Sequence, residues 1–511
     1  MRSLLIATIF FFAISPLQSQ ERPIPFPAKN NKDTSKSETL WDAAYWKDES
    51  GQFHKFGHVQ TQLEHVVRDG KEIIRATRVY DLKMTRGRAV FTLDDKQITE
   101  ESEGKLVRME YTSSLSRIQK ELTALPKGYL ISTKTPTENY EDKIGDFPLV
   151  GFATELQILK EPRQLEDKFD YYYFEPTLNA AVKVLGKIAG KDRFKSPEGA
   201  ILEWQRIDLQ GAKIGGILPP SASIWVDPKT REIKQTMMEI PGIGYATLVR
   251  TTGDQAKAAN GKLPDIQANT DIPLSQRVNQ IHSLPQMSYR ITLEFPIAPG
   301  DLLKPSHLHT IVQRQDNLSF ELTVKALREP PKNAVKAEPA PPEYLNSCHY
   351  ITSNDAEVIK LSNTASRGQV NNWDKAQAME SWLNKNFRFV STKVMDTAAQ
   401  VANDPNGLSG DCTEVAMLLA AMCRAQGIPS RTAIGVIYAD NPKPHFAFHM
   451  WTEIYIQGTW LGLDATLGRG SVGPGHIKVT DASWEGERGQ TPLMPVMQFI
   501  GKHPKIEVLK N

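Results

Sequence analysis

Cys412 follows a glycine and an aspartate and opens a long apolar run, GDCTEVAMLLAAMCRAQGIPSR (410–431). Asp411 suits a helix N-cap, and Glu414 three positions on completes an Asp-x-x-Glu capping box. Cys412 then falls on the first helical residue, among unpaired backbone N–H groups at the positive end of the helix dipole. Both favour thiolate over thiol. Gly407 and Gly410 leave room for a substrate to approach the backbone. A thiol nucleophile works best with a base that an acid orients. The segment HFAFHMWTEIYIQGTWLGLDAT (445–466) supplies candidates for both.

Period-two alternation puts His445, Ala447, His449, Trp451, Glu453 and Tyr455 on one strand face. If Gln457-Gly458 is a two-residue turn, Thr459 opposes Ile456, Trp451 opposes Asp464 and His449 opposes Thr466. His449 and Asp464 become diagonal neighbours roughly 7–8 Å apart between backbones, a gap that imidazole and carboxylate can bridge. A different loop length would break this register. The order suits acyl transfer: Cys412 attacks, His449 accepts and returns the proton, and Asp464 orients the imidazole.

The elements around these residues follow from their patterns. Val415, Ala416, Leu418, Leu419, Ala420 and Met422 make the Cys412 helix apolar nearly all round, hence buried. Gly427 ends it and Pro429 prevents its resumption. Ala376, Met379, Trp382, Leu383 and Phe387 mark another helix. RTAIGVIYA, HFAFHMWTEIYIQ and TWLGLDATL read as strands.

With those blocks in view, residues from about 370 to 480 resemble the transglutaminase-like superfamily core. GDCTEVAMLLAAMCRAQGIPSR, HMWTEIYI and WLGLDAT carry the resemblance, and LGRGSVGPGHIKV looks like the tail of the same domain in exported bacterial members, with His476 in its HI pair. Ala465 stands where the family often has proline. The resemblance implies a papain-like triad on Cys412, His449 and Asp464, attacking a peptide or carboxamide carbonyl to give a thioester. It implies a peptide or protein substrate. The absence of an acidic calcium loop favours hydrolysis over glutamine–lysine crosslinking. The Cys412 N–H is one candidate oxyanion donor, with Gln400, Asn403 and Asn406 open as sources of a second.

Other readings exist. His445 is the backup base. Cys412, His445, His449 and Asp464 are all permitted zinc ligands, but nothing in their spacing needs a metal. We therefore expect neither metal nor cofactor. Trp451 and Glu453 are expected to pack around the site, Arg424 and Arg431 to form structural ion pairs, and His476 either to close the cleft or to cap the domain. Cys423 reads as core, and a Cys348–Cys423 disulfide stays open. A catalytically silent module that binds or scaffolds envelope peptides or polymers is the alternative function.

The whole chain, 511 residues with formal net charge +2, has no basic block with interleaved aromatics and so gives no support for a nucleic-acid partner. Residues 1–20 have the layout of a signal peptide, too short to span a bilayer, which points to a periplasmic or secreted protein with cleavage near 19–20. Residues 21–45 read as a flexible leader. The stretch 46–328 reads as one or two β-rich antiparallel domains, with a hairpin at Asp69-Gly70, a turn at Asp227–Thr230, and helices at Pro176–Ala189 and about Ser275–Ser283. A Pro-rich linker at 329–345 leads to the α+β domain at 346–511. The expected fold class is α+β: an N-terminal antiparallel β-rich region joined to a papain-like, transglutaminase-like domain.

Overall fold

The computed structural model describes residues 37–509, except 49, 69, 87–88, 114–117, 136–138, 196–200, 215–220, 241–243, 266–269, 295–302, 304–305, 307, 314–317, 332–337, 391–394, 487–490 and 502. The expected signal peptide and residues 21–36 of the expected leader lie outside the described residues. The chain divides into two compact units that meet between Asn269 and Thr270.

The N-terminal unit is built on one antiparallel sheet, fifteen-stranded among the described residues. Residues 38–45, expected in the leader, are strand: Glu38–Lys47 is bonded on both edges, to Phe53–Arg68 and Gly244–Thr251. The strands flanking the hairpin expected at Asp69-Gly70 pair antiparallel, with Arg68 opposite Lys71, and Asp69 itself lies outside the described residues. The turn expected at 227–230 is present, where Asp227 Oδ1 accepts from the N–H groups of Lys229 and Thr230.

The helix expected over Pro176–Ala189 does not form. Ala180–Lys195 is a strand. Val182, Val184 and Ile188 are buried while Lys183 and Lys187 alternate outward, so the β-branched period of two overrides the alanines. Ser275–Ser283 contributes only a single 3-10 turn, Ile281–Ser283. An unexpected helix, Phe152–Lys160, is capped from fifty residues away: Glu101 accepts the N–H groups of Ala153 and Thr154 at 2.7 and 3.0 Å. The sheet curls back on itself. Val150 N–H donates to Tyr172 O across its two ends, and Phe174 packs with Leu122 and Ile131 in one apolar cluster.

The C-terminal unit begins well before the Pro-rich segment. Gln286–Thr292 pairs with Ser319–Lys325 on one side and with Lys505–Leu509 on the other. The expected boundary at 329–345 is thus displaced to Asn269/Thr270 because a strand partner some two hundred residues away decides the division. Four helices precede the main sheet: α1 (Ala356–Ala365), α2 (Asn372–Asn386), α3 (Ala398–Ala402) and α4 (Cys412–Ala425). Strands β1 (Ser430–Ala439), β2 (His445–Ile456), β3 (Thr459–Leu463) and β4 (His476–Ala482) follow. Their order is β3–β2–β1–β4, with Ile272–Pro273 added beside the start of β2.

Helices α1, α2 and α3 pack around α4, which lies on β1 and β2. Every residue from Cys412 to Arg424 is therefore buried, as the all-round apolar pattern requires. Thr452 Oγ1 donates to Ala416 O at 2.8 Å and pins β2 to the helix. The β2–β3 turn is the expected Gln457-Gly458, both in the left-handed region at φ 50° and 81°. It sets Ile456 opposite Thr459 and Thr452 opposite Leu463. We predict that Gly458→Val destabilises the protein by about 1–3 kcal/mol, and Gly458→Asn by less, in chemical denaturation, because valine resists positive φ and asparagine tolerates it.

Candidate active site

The mount for Cys412 is the cap at the start of α4. Asp411 Oδ1 accepts from Thr413 N–H at 2.9 Å, and Glu414 Oε2 accepts from Asp411 N–H at 2.7 Å. Gly410 is needed for this closure, since a Cβ there would lie 2.5 Å from Glu414 Cβ. Glu414 Oε1 also takes Asp396 N–H, tying the preceding loop to the helix. Its carboxyl is pushed up to about 8 by burial and by the charge of Asp411.

The register of β2 and β3 delivers His449 to Asp464, one residue past the end of β3. His449 Nε2 donates to Asp464 Oδ2 at 2.9 Å, with exposures of 6% and 2%. That leaves Nδ1 for the thiol, and Cys412 is a hydrogen-bond and charge partner of the same ring. Burial opposes charge on His449, but Asp464 and Cys412 outweigh it and raise the imidazole to about 10. Burial likewise opposes charge on Asp464, and the charge and hydrogen bond of His449 hold its carboxyl well below the usual range. The arrangement is a buried imidazolium–carboxylate pair with the Cys412 sulfur as a further partner of the ring.

Asp464 is held from every direction. Its Oδ1 accepts from Thr466 N–H and Oγ1 at 2.9 and 2.6 Å. Its own N–H donates to Glu380 Oε1 at 3.0 Å, while Glu380 Oε2 takes Gly470 N–H at 2.7 Å. Burial raises Glu380 to about 7. Asn384 donates to the carbonyls of Ala465 and Thr466, and Gln377 to that of Gly470. One face of α2 thus clamps the loop 464–470. Sequence reasoning missed this clamp. Its signal was present: Glu380 lies among Ala376, Met379 and Leu383 on the buried side of α2.

Other expected neighbours take the following places. Trp451 stacks beside His449, ring centroids 6.3 Å apart and 18° from parallel. Glu453 pairs with Arg431 and Lys478, away from Asp464. Arg424 donates to the carbonyls of Asn346, Ser430 and Ser483, a structural role made through backbone carbonyls where an ion pair was expected. His445 bonds Lys443 O and faces Asp271, so it is not brought to Asp464. Gln400, Asn403 and Asn406 use their side chains in local caps and turns. All three cysteines are free, which closes the question of a Cys348–Cys423 disulfide, and Cys423 is fully buried.

His476 enters the site as well. Its Nε2 donates to the same Asp464 Oδ2 at 3.0 Å. The ligand-capable atoms of His449, Asp464 and His476 lie within 4.8 Å of one another, a spacing that a divalent cation could bridge. Both Nε2 protons would have to leave first, and the raised pKa of His449 opposes that.

Residues 359–465 match the family model of the Transglutaminase-like superfamily. The chain carries a transglutaminase-like domain. No curated protein matches it. Among solved structures it is similar to a "putative cysteine protease" from Cytophaga hutchinsonii, at 19% identity and a TM-score of 0.27, over 44% of this chain and 84% of that one. It is also similar to a "putative protease" from Parabacteroides distasonis, at 11% and 0.19, over 68% and 64%. A beta-barrel-like protein of a domain of unknown function from Brucella abortus matches at 8% and 0.30, over 42% and 95%. Among the described residues, no helix is long and apolar enough to cross a membrane.

Removing one partner of the buried pair leaves the other charge uncompensated. Asp464→Ala should cost about 3–5 kcal/mol near pH 7. The folded imidazole is raised, so its contribution to stability is fully present below the unfolded value of 6.5 and is lost as pH rises through about 10. The carboxylate is depressed, so its contribution is present above 3.8 and is lost as pH falls through its lower folded value. The Tm gap between wild type and Asp464→Ala should be widest between these limits and narrow toward pH 10. A gap that does not change between pH 6 and 10 would contradict the charged pair.

Proposed function

We propose that this protein is an exported thiol enzyme that hydrolyses peptide or carboxamide bonds, with Cys412 as nucleophile, His449 as acid and base, and Asp464 as orienting carboxylate. The observation that supports this reading is the His449 ring, bonded to Asp464 through Nε2 and partnered by Cys412. The Cys412 proton passes to His449 as the sulfur adds to the carbonyl carbon, and His449 gives that proton to the departing amine as the C–N bond breaks. A thioester remains. Water then attacks it with His449 taking the proton, which returns to the sulfur as the carboxylic acid leaves. The Cys412 N–H, at the start of α4, is the first candidate to hold the oxyanion.

Water rather than a lysine amine is the proposed acceptor, since the sequence carries no acidic calcium loop. The depth of the site favours an unfolded polypeptide as substrate: Cys412 is 9% exposed and His449 6%, so a flexible chain reaches them more readily than a folded surface does.

Incubation with denatured casein in ¹⁸O-labelled water, read by mass spectrometry, tests the reading. New peptide termini should carry ¹⁸O, and Cys412→Ala should lower their rate by about 10³-fold or more with an unchanged Tm. Label-free products with incorporation of a fluorescent primary amine would instead indicate acyl transfer to amines. Undiminished cleavage by Cys412→Ala would sink the thiol mechanism.

A further inference from the structure

Asp464 Oδ2 accepts two N–H groups from two strands, His449 on β2 and His476 at the start of β4. We propose that His476 is a positioning residue for the thiol chemistry, donating its Nε2–H to Asp464 so that the carboxylate stays ionised and aimed at His449. The inference rests on the reading of Cys412, His449 and Asp464 given above.

Burial and geometry single out that bond. The His476 side chain is 1% exposed, and its buried Nδ1 makes no hydrogen bond of good geometry among the described residues, the Gly473 carbonyl being the one backbone group that acts on the ring. An unsatisfied buried nitrogen destabilises the fold. A purely apolar residue would fill the same space without that cost, packed edge-on to Trp451 and His282 at 5.1 and 5.3 Å between centroids. The Nε2–H is what a histidine adds at this position. Gly475, the residue before it, makes room for the neighbouring His282 ring: a Cβ there would lie 2.6 Å from His282 Cε1. Lys478, two residues on, anchors β4 through Glu453 and Asp481 at 2.7 and 2.8 Å.

The charges around Asp464 agree. His449 on β2, Glu380 on α2, His476 on β4 and His282 on the 3-10 turn all act on it, with Cys412 on α4 acting on His449 and Arg469 on His282. Burial and the charge of His449 lower His476, and burial with His476 lowers His282 to about 4. A neutral His476 donates a hydrogen bond to the carboxylate without placing a second cation against His449. That division of labour, one charged histidine and one neutral, keeps the pair polarised toward Cys412.

The test uses the full chain and iodoacetamide, with alkylation of Cys412 followed by peptide mapping from pH 4 to 9. His476→Gln keeps an N–H donor, and His476→Phe removes it. The Phe variant should slow alkylation about ten- to a hundredfold and move the acid limb of the profile upward, since Asp464 loses a donor that holds it charged. The Gln variant should stay within about threefold of wild type. Wild-type behaviour in His476→Phe, alongside slow alkylation in His449→Ala, would overturn this inference and leave the reading of Cys412 and His449 standing. No effect of His449→Ala would overturn that reading itself. If the Phe variant does not fold, ¹⁵N-histidine NMR of the wild type decides. Neutral His476 with its proton on Nε2 at pH 7 is expected, and a proton on Nδ1 or a charged ring overturns the proposal.

Discussion

A carboxylate buried to 2% exposure is the constraint around which the C-terminal unit is arranged. An isolated ionised carboxyl at that depth would take up a proton or unfold its surroundings. Asp464 remains ionised because every lone pair has a donor: His449 and His476 on one oxygen, and the N–H and hydroxyl of Thr466 on the other. Those donors come from β2, from β4 and from the residue two positions on. The sheet order β3–β2–β1–β4 does not make β4 a neighbour of β3. The loop after β3 must therefore leave the sheet and run toward β4, and α2 holds it there through Gln377, Glu380 and Asn384.

The same constraint orders the chemistry. A charged imidazole in a dry site polarises whatever lies on its free nitrogen, and low dielectric strengthens that effect. The helix that presents Cys412 is closed on all sides by α1, α2, α3 and the sheet, so the sulfur has little freedom to drift from the ring. Rigid presentation of a nucleophile beside its base lowers the entropy lost on reaching the transition state. The cap residues serve both ends of this arrangement. Asp411 and Glu414 fix the first turn of α4, and Glu414 reaches back to Asp396 in the loop before it.

Local rules made the proposed site residues legible and left their supports hidden. The Asp411–Glu414 spacing announces the cap within four residues, and Gln457-Gly458 fixes the β2–β3 register within two. Together they locate Cys412, His449 and Asp464 without any knowledge of the fold. Glu380, Asn384 and Gln377 act on a loop more than eighty residues downstream, so helical periodicity shows them only as polar positions on a helix. The unit boundary was misplaced for the same reason: five prolines are a local signal, whereas the pairing of Gln286–Thr292 with Lys505–Leu509 is not. Over Pro176–Ala189 a local signal misled, because alanines masked the alternation of valine with lysine that the sheet exploits.

The central claim is that Cys412, His449 and Asp464 act as one unit, and the most direct measurement is a double-mutant cycle on Cys412 alkylation by iodoacetamide at pH 7. His449→Ala and Asp464→Asn should each slow the reaction, and the double variant should be no slower than His449→Ala alone, because the carboxylate acts only through the imidazole. Additive losses, or alkylation that neither substitution changes, would contradict the account.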